Sequence, residues 1–87
     1  MFDIVKVEWS DSITYAERMP VSEASKSKLA RCKTVGFLVY KDEEKIVVAH
    51  QLLELGSLET IMSDYTVIPK DWVIDILEIG KEKNNEG

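Results

Sequence analysis

The sequence predicts a mainly β fold, and three observations lead there. Ile4 to Trp9 alternates, with Ile4, Lys6 and Glu8 on one side and Val5, Val7 and Trp9 on the other, the period of a half-buried strand. Thr34 to Tyr40 and Lys45 to His50 are β-rich runs flanking the polar Lys41-Asp42-Glu43-Glu44 connection, which reads as a hairpin even without an Asn-Gly pair. The third is size: 87 residues at 45% hydrophobic and 31% charged fit one small folded domain with a thin core, not a disordered chain or a large enzyme.

The first strand ends where Ser10-Asp11-Ser12 brings turn formers. Residues 10 to 33 then form a long excursion with scattered apolar positions, within which Pro20 to Ala24 begins a short helix with Ser22 as N-cap. Gly36 inside the second strand marks a bulge or a close backbone approach, a bend that helps a sheet curl toward a barrel. Leu52, Leu53, Leu55 and Leu58 around Gly56 fit either a helical turn or a continuation of the sheet. A fourth strand runs from about Thr60 to Ile68 and stops at Pro69, which has no N–H for the ladder. Pro69 to Trp72 is a tight turn. Val73 to Ile79 reads as a strand, with a helix from Asp71 to Ile79 closed by Gly80 as the alternative. The domain therefore covers 1–80 and a flexible tail 81–87, with an expected core of Val5, Val7, Phe37, Val39, Val47, Ala49, Ile68, Trp72, Val73 and Leu77.

Charge is unevenly spread. Eleven Lys and Arg face 16 Asp and Glu, and the net charge runs −3 over residues 1–17, +4 over 18–33, −4 over 34–64 and −2 over 65–87. The single basic stretch lies in the excursion, so Arg18, Lys26, Lys28, Arg31 and Lys33, with Tyr15 as a stacking aromatic, are the candidate binding residues; a solvated face is the competing reading. Cys32 is the only cysteine, which excludes an intramolecular disulfide or a cysteine-based metal site within one chain and suggests a reducing compartment. The start carries no secretory pattern and the apolar runs fall far short of the ~20 residues that span a bilayer, so a cytoplasmic protein without a membrane partner is expected.

Catalytic chemistry finds little support. A nucleophile needs a base, and the one side chain of near-neutral pKa, His50, stands in an apolar run where a strand-edge role accounts for it. Glu8, Asp11, Glu54, Asp64 and Asp75 have no spacing that pairs two carboxylates, Gly36, Gly56 and Gly80 are too far apart for a phosphate loop, and Asp42-Glu43-Glu44 lacks spaced partners for a metal. No enzyme activity, cofactor or metal is expected. Trp9, Phe37, Tyr40 and Trp72 are assigned to the core, while Tyr15 and Tyr65 sit in polar surroundings and would suit a groove that stacks a base or a peptide.

The order of strand, long loop, Val35-Gly36-Phe37-Leu38-Val39 hairpin, fourth strand and Ile68-Pro69-Lys70-Asp71-Trp72-Val73 resembles the small five-stranded barrels of the SH3-like and Sm-like class, in which a Pro-containing 3₁₀ turn precedes the last strand. Trp9-Ser10-Asp11, the Val-Gly strand and Ile68-Pro69-Lys70 are also similar to marks of small uncharacterised proteins of bacteriophages and prophages. The resemblance covers about 60 of 87 residues and carries no functional residues. It implies a small barrel with a long loop or short helix between its first two strands. The expected function is a non-catalytic binding or assembly module, phage-derived and homo-oligomeric, because free sheet edges and the apolar surplus in residues 46–62 exceed what one thin core absorbs. Two alternatives are a phage anti-defence protein capturing a host defence protein or a nucleotide signal, and a nucleic-acid-binding Sm-like ring. A protein or small anionic ligand is the expected partner; nucleic acid is not, since the Asp- and Asn-bearing loops of Sm-type RNA binders have no counterpart here.

Overall fold

A computed structural model describes residues 2–56 and 58–82. Five strands, β1 (Asp3–Asp11), β2 (Ala30–Lys41), β3 (Lys45–Leu53), β4 (Ile61–Pro69) and β5 (Val73–Lys81), form one antiparallel sheet in the order β4-β3-β2-β1-β5. Two 3₁₀ segments interrupt it, Val21–Lys26 between β1 and β2 and Lys70–Trp72 between β4 and β5. The second segment carries the chain across the end of the sheet to the far side of β1, so β4 and β5 share no ladder. Among the described residues both remain free edges, and the sheet is open rather than closed into the expected barrel.

Alternation in β1 is realised as read: Val5 and Val7 are buried and their neighbours Lys6 and Glu8 are not. They join Ile46, Val48 and Ile68 in one cluster, against which Trp9, Leu38 and Val73 pack. β2 lies between β1 and β3, so side chains from both can meet only if the sheet bends over it. Gly36 permits this. A Cβ there would overlap the Ala49 carbonyl oxygen and lie 2.8 Å from Val48 Cγ1, while a register shift between Leu38 and Tyr40 supplies the bulge.

The expected core needs correction at its rim. Trp72 is 43% exposed and stacks on Trp9 with ring centroids 6.5 Å apart, and Leu77 on edge strand β5 is 50% exposed. Phe37 and Val39 are half-buried. Ile46 and Val48 belong to the core beside Val47 and Ala49, because this stretch of β3 is covered on both faces. Ser22 is not a cap: Pro20 holds that position, no side chain caps the segment, and the Pro20 carbonyl accepts from Glu23 N at 2.9 Å.

The β2–β3 turn is fastened by Asp42. Its Oδ1 accepts from the backbone amides of Glu44 at 2.8 Å and Lys45 at 2.9 Å, and its Oδ2 accepts from Tyr40 Oη at 2.9 Å and Lys45 Nζ at 3.2 Å. The amides lower the Asp42 carboxyl well below the usual carboxylate range; the bond to Asp42 raises both Tyr40 and Lys45. Of the Leu-rich stretch around Gly56, the sheet takes Leu52 and Leu53 at the end of β3, and Gly56 beyond it has φ +68°. β5 is a strand to Lys81, one residue past the expected domain end, and the Glu82 amide donates to the Phe2 carbonyl at 3.1 Å. The rest of the expected tail, 83–87, lies outside the described residues.

Candidate functional site

The β1–β2 ladder runs from Asp3 opposite Leu38 to Asp11 opposite Ala30, and beyond it residues 12–29 leave the sheet as an arm. The arm starts where Asp11 Oδ1 accepts from the Ser12 amide at 2.8 Å and is drawn together by Tyr15 Oη donating to the Lys28 carbonyl at 3.3 Å. Its 3₁₀ segment has no buried residue. Ile13, Tyr15, Met19, Val21 and Leu29 are all exposed, Val21 to 90%. The radius of gyration, 17.4 Å, compares with about 12 Å for a compact domain of this length. The molecule measures 63 × 22 × 21 Å.

Within the arm, Tyr15, Glu17, Met19, Glu23, Lys26 and Lys28 line a groove of about 290 Å³. Three of the six residues singled out by sequence, Tyr15, Lys26 and Lys28, therefore meet. Arg18 is exposed on the arm and does not line the groove. Arg31 and Lys33 are separated from them, because β2 begins at Ala30; they stand on β2 around a second depression with Glu8 and Cys32. Arg31 reaches Glu8 at 3.8 Å, and Lys26 pairs with Glu23 at 2.6 Å. The arm groove thus holds two carboxylates beside two ammonium groups, a balanced lining that suits an amphipathic protein surface better than a phosphate. Tyr65 lies on β4 opposite Ala49 and takes no part in this groove.

His50 is exposed at the surface and ties three strands. Its Nδ1 lies 2.8 Å from the Val35 carbonyl, which can only accept, so Nδ1 donates there, and Nε2 shares a hydrogen bond with Thr66 Oγ1 at 3.1 Å. Both ring nitrogens are occupied in holding the sheet. Among the described residues no three His, Cys, Asp or Glu side chains gather as a metal site would need, and no helix is long and apolar enough to cross a membrane.

A further groove, of about 440 Å³, was not singled out by sequence. Phe2, Val39, Tyr40, Val47, Leu52 and Met62 line it, with Glu59 and Thr60 at its polar side. Its only sequence signal is the apolar surplus of residues 46–62. No family model matches the chain, and no curated protein or solved structure is similar to it.

Proposed function

We propose that this chain is a non-catalytic binding and assembly module that self-associates, with the arm as its recognition element. One observation carries the reading: large apolar side chains are left open on the arm and on both edge strands. β4 exposes Ile61, Met62, Tyr65 and Val67, and β5 exposes Ile74, Ile76, Leu77 and Ile79. Exposed apolar side chains in this number favour association, and an edge strand offers unpaired backbone groups to another chain. The charges that interrupt the two edges are Asp64 on β4 and Asp75 and Glu78 on β5. An SH3-like or Sm-like architecture belongs to the same proposal and is supported by the 3₁₀ turn that follows Pro69 and leads into β5.

Amide hydrogen exchange over a concentration series tests the reading. Amides of the arm, β4 or β5 should gain protection as concentration rises from nanomolar to high micromolar. Exchange independent of concentration in all three segments would contradict self-association.

A further inference from the structure

Two features of this molecule complement each other and stand apart within one copy. The arm offers exposed Met19, Val21 and Leu29, and the 440 Å³ groove offers an apolar lining of Phe2, Val39, Tyr40, Val47, Leu52 and Met62. Phe2, Val39 and Tyr40 flank the Asp3–Leu38 end of the β1–β2 ladder, whereas the arm departs from its Asp11–Ala30 end. Eight residue steps separate the two ends, about 27 Å at ~3.4 Å per residue.

Their charged groups complement one another. The arm, residues 12–29, holds Arg18, Lys26 and Lys28 against Glu17 and Glu23, and Glu59 is the charged side chain that lines the groove. Arg18 and Lys28 make no ion pair among the described residues, and Glu59 stands on the polar side of the groove.

We infer that the arm of each copy seats in the apolar groove of a second copy, forming a two-fold dimer by arm exchange. The inference rests on the proposed self-association and names the partner of the arm. Because arm and groove lie at opposite ends of one ladder, an antiparallel pair of molecules places each arm beside the other's groove, and the two contacts close on themselves without open ends. Arg18 and Lys28 of the arm against Glu59 of the groove set the register, and this pairing weakens at high salt.

Sedimentation of the full chain tests this with two sets of variants. Met19→Asp with Val21→Asp alters only exposed arm positions and should leave the β circular dichroism and the melting of dilute protein unchanged while weakening dimerisation at least about a hundredfold, as loss of two anchors at each of the two contacts would. Met62→Lys, at an exposed position of the groove, should do the same, and Glu59→Lys serves as a second groove variant should Met62→Lys fail to fold. Mixing the arm variant with the groove variant should restore one of the two contacts, and with it part of the association, since the intact arm of one meets the intact groove of the other. A wild-type chain that stays monomeric would overturn self-association itself. An arm variant that dimerises like wild type would overturn only the exchange, and loss of its dimer on Ile76→Lys would assign the contact to the β5 edge.

Discussion

Gly36→Ala is the substitution to which this fold should be most sensitive for its size. Glycine within a strand ordinarily costs about 0.5–1 kcal/mol relative to alanine, through the freedom its unfolded backbone loses. With open space around it, the change would therefore stabilise. Here the added methyl group would overlap the Ala49 carbonyl oxygen and lie 2.8 Å from Val48 Cγ1 and 3.1 Å from the Ala49 carbonyl carbon. Two of these atoms are backbone of β3 and cannot rotate aside, so relief requires β2 and β3 to separate where the core cluster forms. Overpacking of this kind costs about 1–3 kcal/mol and occasionally more. With backbone opposing the methyl, the net loss should lie near the top, about 2–3 kcal/mol. For a domain of 60–100 residues that lowers the melting temperature by roughly 10–20 °C. Circular dichroism melts of both proteins at one fixed concentration measure it, since self-association makes the midpoint concentration-dependent. A Gly36→Ala protein melting at or above the wild-type temperature would refute the tight β2–β3 bend.

Ile46→Ala should cost about 2–5 kcal/mol because the side chain is fully buried. Trp72→Ala, at a half-exposed stack on Trp9, should cost only about 1–2 kcal/mol; urea titrations that reversed this order would contradict the core assignment. Asp42 has its folded pKa depressed by the amides of Lys45 and Glu44, so its contribution to stability is complete above the ordinary carboxylate value of about 3.9 and is lost as pH falls through the lower folded value. The wild-type melting temperature should therefore drop more steeply below pH 4 than that of Asp42→Asn, and parallel profiles would remove the turn from the acid response. Replacing Lys26, Lys28 and Arg31 together by Ser should leave the melting temperature of dilute protein nearly unchanged, as exposed pairs contribute little. The same triple variant should associate less tightly and with less salt dependence, which sedimentation at two ionic strengths would show.

Much of the sheet was legible because its signals are local. Val5, Val7 and Trp9 alternate against solvent, Pro69 ends a ladder chemically, and Gly36 marks a close approach that the Ala49 carbonyl confirms. The start of β2 was hidden, since Arg31 and Lys33 look like loop residues yet lie in a ladder opposite Ser10 and Glu8, where polar side chains simply face water. Ile46 to Ala49 is buried on both faces, and a continuous apolar run has no alternation from which to choose its inner pair. Trp72 is large and apolar, so composition assigned it to the core, but the 3₁₀ turn holds it at the rim. Of the candidate site, the meeting of Tyr15 with Lys28 could be anticipated from the shared loop. The groove of Phe2, Tyr40, Leu52 and Met62 could not, because it is assembled from residues far apart in sequence.

Self-association is the claim on which the rest depends, and light scattering over a concentration series tests it most directly. The mass should rise with concentration to twice the 9.9 kDa of one chain. A mass of 9.9 kDa held to high micromolar concentration would contradict the account.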